Sequence, residues 1–271
     1  MASRPVDALC PLPGSKSESN RALLLAALAD GPTELSGLLD ARDTRLMVAA
    51  LKQLGVVIDE LPAGREGSPT VRVAPPRRFT AVPGGIDCGL AGTVMRFVPP
   101  VAALAPGRTR FFGDPRASER PMAPLLDGLH QLGVASDADA LPFNRAAPSA
   151  LGGPQVAIDS GASSQFISAL LLPAARYPHG IDLRHVGTAV PSLPHIEMTV
   201  AMLRDRGVRV DVHDDRRWVV QPGPIQAHDQ WIEPDLTNAA VFLAAGVLSG
   251  GQVAVPGWLE STTQPGDLIR A

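Results

Sequence analysis

The chain has 271 residues, a length that suits one large domain or two smaller ones and is enough to bury a real core. Hydrophobic residues make up 45% and aromatics only 4%, so the apolar mass is Ala, Val and Leu, which excludes a disordered chain. A formal net charge of −3 supplies no basic field for nucleic acid or an anionic membrane, so any partner must be argued from local sites.

The segment from Met1 to Lys16 lacks a charged n-region followed by an apolar h-region, and no apolar run reaches the ~18 residues of a membrane span. A cytoplasmic location is therefore expected. Cys10 and Cys88 form no CxxC and have no histidine pair at ligand spacing, so neither a disulfide framework nor a structural zinc site is expected. Lysine occurs only at Lys16 and Lys52, which leaves arginine to supply nearly all of the 24 basic residues, and several of its planar forks could serve planar anions.

Taken in chain order, the sequence repeats. LCPLPGSKSESNRALLLAALADGPTELSG reads as a short strand, a polar turn, a helix apolar nearly all round from Ala22 to Leu28, and a second strand after Gly31. An amphipathic run from Met47 to Asp59 follows, closing at Gly55-Val56. The same pair of segments recurs as IDCGLAGTVMRFVPPVAALAPGRTRFFG with Pro124 to Ala135, and as VAIDSGASSQFISALLLPAARYPHGIDLRHVG with Thr199 to Val212. In the second amphipathic run, Met122, Leu125, Leu126, Leu129 and Leu132 share one helical face, and Gly133 is placed to cap it. Pro99-Pro100 and Pro173 predict a kink or an early end in their helices. The unit is β-α-β-α-β-β with a period of about 75 residues.

A fourth copy is expected to start at Trp231 and to run through a helix and the strand Gln252 to Pro256. The chain then ends in GDLIRA, before a second amphipathic run. Such an ending is expected of a fragment, of early termination, or of half of a two-chain assembly. The apolar helix from Ala239 to Leu248 would then expose its surface and favour association.

Every junction from strand into apolar helix is small and polar, and helix N-termini gathered around one cavity make an anion site. Ser17, Ser19, Thr93, Ser163 and Thr237 are the expected N-caps. The first junction also holds Lys16 and Arg21, and the second has Gly89 and Gly92, where a ligand can approach the backbone. A loop from Gly113 to Pro121 carries Arg116 and Arg120 four apart. The third junction presents Ser163, Ser164 and Gln165 in a row, more hydrogen-bonding groups than a cap requires. A Walker A loop is excluded, because its first glycine would fall on Leu9.

The motifs PGSKSESNRALLLAAL, LAGTVMRF, GDPRASERP, SGASSQF and PSLPHIEMT, in this order and spacing, closely resemble those of the EPSP synthases, the 3-phosphoshikimate 1-carboxyvinyltransferases. The likeness extends over essentially the whole chain. It implies an α/β fold of repeated βαβαββ units, the inside-out prism of the enolpyruvyl transferases, with helix N-termini facing a cleft between two domains. On that template residues 16–228 form one complete three-repeat substrate-binding domain. Residues 1–15 and 229–271 belong to a second, of which most is absent.

The resemblance also implies a reaction: transfer of the enolpyruvyl group of phosphoenolpyruvate to the 5-hydroxyl of shikimate 3-phosphate, with release of phosphate and no metal or organic cofactor. Shikimate 3-phosphate would be held by Lys16, Ser17, Arg21, Ser163, Ser164, Gln165 and Ser192. Phosphoenolpyruvate would be held by Lys16, Gly92, Arg116 and Gln165, with Thr93, Arg96, Arg120 and Asp235 in support. Leu90 stands where many members have Asn, and His195 where many have Tyr. The family's proton-moving carboxylates and lysine lie in later repeats and map to nothing here, so negligible transferase activity is expected of this polypeptide alone. A related transferase acting on UDP-N-acetylglucosamine fits less well, because Lys16-Ser17 replaces its Lys-Asn pair and the arginine loop has no cysteine. The alternative of another class is a non-catalytic phosphosugar-binding protein, or a subunit that needs a second chain for the missing repeats.

Overall fold

A computed structural model describes residues 4–64 and 67–270. Strand β1 (Asp7–Leu9) leads into α1 (Lys16–Leu28), β2 (Thr33–Ser36), α2 (Arg42–Gln53), β3 (Val57–Leu61) and β4 (Thr70–Ala74). The second unit is β5 (Ile86–Asp87), α3 (Gly92–Ala102), β6 (Gly107–Phe112), a 3-10 turn at Pro115–Glu119, α4 (Ala123–Gln131), β7 (Ala135–Ser136) and β8 (Phe143–Ala147). The third is β9 (Gln155–Ile158), α5 (Gln165–Leu171), β10 (Ile181–His185), α6 (Leu193–Arg204), β11 (Val210–His213) and β12 (Arg217–Val220). The chain then forms β13 (Gln230–Trp231), α7 (Leu236–Ser249), β14 (Gln252–Ala254) and a 3-10 turn at Pro265–Arg270.

Three four-stranded sheets share one plan. In the third, β9 lies parallel to β10, which pairs antiparallel with β12, and β11 closes the edge. The second sheet repeats this order as β5-β6-β8-β7 and the first as β13-β2-β4-β3. The six helices pack inside, α1 against α2 and α6, and α3 against α2 and α5. Every residue of α3, and every residue of α1 from Glu18 onward, is buried. The amphipathic helices bury one face each, such as Met47, Ala50 and Leu51 of α2. Gly55, Gly133 and Gly207 take positive φ (+99°, +85° and +74°) after these helices, the left-handed step that releases the chain into the next strand.

Several local expectations are corrected. The strand at Trp231 opens no fourth sheet: β13 pairs parallel with β2, with Trp231 opposite Ser36, and completes the first. The strand before α1 joins β14 instead, Leu9 opposite Ala254, in a separate two-stranded parallel sheet. Both segments are only two or three residues long, and only pairing across some two hundred residues decides which sheet each joins. The two crossings of the chain run side by side, with an antiparallel bridge between Gly14 and Pro234 and Ser15 N–H donating to the Glu233 carbonyl at 2.8 Å. Helix α3 continues through Pro99 and Pro100 to Ala102, whereas α5 stops before Pro173.

The N-caps also differ. Ser15 caps α1 and Asp235 caps α7, while Ala91 and Ser164 precede α3 and α5 without a side-chain bond. Ser17, Ser19 and Thr93 lie inside their helices, where their hydroxyls are free for other partners. Among the described residues no helix is long and apolar enough to cross a membrane.

Candidate active site

Arg21 is the centre of the arrangement. One turn into α1 it is 1% exposed, its guanidinium 5.1 Å from the centroid of the Phe97 ring. Nε donates to Thr199 Oγ1 at 2.7 Å and Nη1 to the Ser17 carbonyl at 2.9 Å, while Nη2 donates to Ser168 Oγ at 3.3 Å and the His195 carbonyl at 3.1 Å. All four acceptors are neutral. Burial pulls Arg21 down to about 10, so it remains charged at neutral pH, and among the described residues no carboxylate pairs with it. A buried cation so placed is costly until an anion arrives.

The space beside it is a cavity of about 260 Å³ lined by Ser17, Arg21, Ala162, Ser163, Ser164, Gln165, Pro191, Ser192 and His195. Six of the residues expected to hold a phosphorylated sugar thus line one pocket. The loop before α5 is pinned by Ser163 N–H to the Ser160 carbonyl (2.9 Å) and by Gln165 N–H to Ser163 Oγ (3.2 Å). Ser192, at the start of α6, sits in the left-handed region (φ 52°, ψ 52°), and its hydroxyl makes no cap bond. A non-glycine residue held there is strained, and such strain gathers at functional sites. Burial and the nearby Arg21 lower the pKa of His195, against an opposing pull from Asp235.

A second set of groups adjoins the pocket at the start of α3. Arg96 donates to Gln165 Oε1 at 2.8 Å, Ser163 Oγ at 3.3 Å and the Pro121 carbonyl at 3.2 Å, with its guanidinium over the Phe166 ring. Burial, and then repulsion from Arg120, bring Arg96 down to about 10. Arg120 donates to the Leu90 carbonyl at 2.9 Å and lies over Gly92, where a methyl group would come within 2.6 Å of Arg120 Nη2. Gly92 therefore makes room for a guanidinium at a helix N-terminus. Thr93 accepts from Asn20 Nδ2 at 2.9 Å, which ties α3 to α1.

The comparisons with known proteins bear on this geometry. A model of the EPSP synthase (3-phosphoshikimate 1-carboxyvinyltransferase) family matches residues 2–271. The chain belongs to the EPSP synthase family. Two solved structures of EPSP synthase from Acinetobacter baumannii share its fold at TM-scores of 0.70 and 0.69, each with 23% sequence identity over 89% of this chain. The chain spans about half the length of those enzymes, 53% and 54%.

Within this EPSP synthase fold, three of the expected residues belong neither to the pocket lining nor to the set at the start of α3. Lys16 is exposed, with Nζ 3.6 Å from Asp43. Arg116 is exposed on the 3-10 turn of its loop, which a bidentate pair between Arg42 and Asp114 (2.8 and 2.9 Å) anchors to α2. Asp235 caps α7, accepting from Thr237 and Asn238 N–H. Reading the sequence missed Ser168, Thr199 and Asn20 as partners of the site. His195 and Thr199 are four apart on α6 and so share a face, the one signal that was available.

Proposed function

We propose that the chain binds shikimate 3-phosphate with its phosphate in the serine-lined pocket against Arg21, and phosphoenolpyruvate at the adjoining edge formed by Arg96, Arg120 and the α3 N-terminus. The reaction served is enolpyruvyl transfer to the 5-hydroxyl of shikimate 3-phosphate, with release of phosphate, in the cytoplasm. Ser17, Ser163, Ser164 and Ser192 can donate hydrogen bonds to phosphate oxygens, and Gln165 faces both halves of the site. Lys16 and Arg116 swing in from the rim. The observation that carries the reading is the buried Arg21 guanidinium, ringed by neutral acceptors and open to a polar cavity. Residues 16–228 with β13 act as one substrate-binding domain, and residues 1–15 and the segment after β13 belong to another.

Calorimetric titration tests this. Shikimate 3-phosphate should bind about 100-fold more tightly than shikimate, the scale of two charge-assisted hydrogen bonds. Equal affinity for the two would overturn the reading.

A second reading, binding without turnover, is favoured by one observation: among the described residues the pocket is lined by no carboxylate or lysine, which leaves the His195 imidazole as its one acid–base group. A positioned acid or base contributes roughly 10²- to 10⁴-fold in rate. Phosphate release from both substrates, measured with the chain alone and with a second polypeptide carrying the rest of the family's length, separates the two readings. Turnover only with the second polypeptide would make it a partner.

A further inference from the structure

His185 is not among the residues that line the pocket, yet it stands at the base of both loops that wall it. It ends β10, where its backbone N–H donates to the Arg216 carbonyl at 2.8 Å, and the next residue, Val186, donates to the Ile158 carbonyl of β9 at 3.0 Å. From this point the chain runs on one side into 186–192, which ends on Ser192. On the other side, the end of β9 runs through Asp159 and Ser160 into Ser163 and Ser164.

The His185 ring is 4% exposed, and Nδ1 meets the backbone N–H of Ser160 at 3.2 Å and Ser160 Oγ at 2.9 Å. A main-chain N–H can only donate, so Nδ1 must offer its lone pair and the ring is the neutral Nε2–H tautomer. Ser160, itself fully buried, passes the constraint on by accepting the Ser163 N–H at its carbonyl.

We infer that His185 is the positioning residue of the pocket: its neutral imidazole, accepting from the Ser160 amide, sets the loop that carries Ser163 and Ser164. The inference rests on the phosphate-pocket reading for its functional meaning and on the loop geometry alone for its test. Protonation at Nδ1 would set two donors face to face at the Ser160 amide and break that bond, leaving Ser160 Oγ alone to accept from the ring. The charged groups around the ring oppose each other. Asp159, whose carboxylate lies against the ring at Gly187, favours the cation, and Arg216, which holds the Gly187 and Thr188 carbonyls, disfavours it. The Gly187 main chain adds a small pull toward the charged form, and burial outweighs these and lowers the pKa of His185. A histidine depressed in the fold costs stability as pH falls below its ordinary value, so the loop should loosen on the acid side.

Amide hydrogen exchange of the ligand-free full chain tests this without any substrate. Protection of residues 159–165, corrected for intrinsic exchange, should fall about tenfold between roughly pH 7.5 and roughly pH 5 in the wild type. His185→Asn keeps an acceptor in place of Nδ1 and cannot titrate, so its loop should stay protected at both pH values. His185→Leu should be loose at both. Equal acid response in the wild type and His185→Asn, or full protection in His185→Leu, would overturn the inference. Where His185→Leu fails to fold, the comparison with His185→Asn decides alone. Shikimate 3-phosphate affinity is read separately, so a pocket that takes another ligand leaves this result standing.

Discussion

Helices α1 and α7 have the same apolar character and opposite surroundings. In α1 every residue from Glu18 to Leu28 is buried, with β2 and β4 on the sheet side and α2 and α6 beside it. In α7 only Leu236, Ala239 and Gly246 are buried, while Val241, Val247 and Leu248 are 70%, 80% and 84% exposed. The difference lies in the sheets. Helix α1 packs on β2 and β4 of a four-stranded sheet, whereas α7 packs on β14 of a two-stranded sheet and on the 3-10 turn at Pro265–Arg270. An apolar helix specifies that it needs cover, and the rest of the fold decides whether cover is present.

The sharpest way to break this comparison is to truncate equivalent leucines. Leu24→Ala in α1 should cost about 2–5 kcal/mol, the range for a cavity in a packed core, read as a shift in urea midpoint. Leu248→Ser in α7 should stay within about 0.5 kcal/mol and should lower binding of a hydrophobic dye. Similar losses at the two positions would mean that α7 is covered in solution.

What could be read in the sequence follows the same division. The period, the buried and amphipathic helices and the glycine caps are local patterns, and Met122, Leu125, Leu126, Leu129 and Leu132 are all buried as their spacing requires. The sheet membership of β1 and β13 was not legible, because Leu9 and Trp231 carry no local mark of partners some two hundred residues away. In the site, the motif residues marked the pocket wall. The neutral ring of acceptors that leaves Arg21 without a counter-ion includes Ser168 and Thr199, two ordinary helix residues that only folding brings together.

The next effect belongs to the site. Arg21→Met should lower shikimate 3-phosphate affinity by at least about 10-fold, the loss of one charge-assisted hydrogen bond, because four of the five guanidinium N–H groups already bind within the protein. The ligand-free protein should melt at nearly the same temperature, because relief of the desolvation cost of a buried charge offsets the hydrogen bonds to Thr199, Ser17, Ser168 and His195 that methionine cannot make. Loss of stability together with affinity would mark Arg21 as a structural cation instead.

A third prediction lies on the seam between the two regions. Glu18, in the first turn of α1, accepts from Gln230 Nε2 at 2.7 Å and Glu233 N–H at 3.1 Å, and Arg206 donates to the other end of the same Gln230 amide at 2.8 Å. Burial, then Glu233, push Glu18 up to about 8, against the pull of those donors. A carboxyl raised in the fold contributes stability below its ordinary value and loses it as pH rises toward 8, because the native state then binds the extra proton. Thermal stability should therefore fall between roughly pH 5 and pH 8, and Glu18→Gln should flatten that slope. An unchanged slope in the variant would assign the pH dependence to other groups.

The smallest effect is at Ser192. Its left-handed backbone costs roughly 1 kcal/mol that glycine would not pay, so Ser192→Gly should raise the unfolding free energy by up to about that amount. The gain is reduced by the greater freedom of glycine in the unfolded chain. Capping does not account for a serine here, since its hydroxyl makes no bond to the α6 N-terminus. Ser192 lines the pocket, where a phosphate oxygen would give its hydroxyl a partner. Ser192→Gly should accordingly be more stable when ligand-free and should bind shikimate 3-phosphate several-fold more weakly, about 1 kcal/mol for one hydrogen bond. A variant that gains stability and keeps full affinity would place the phosphate against Ser163 and Ser164 alone.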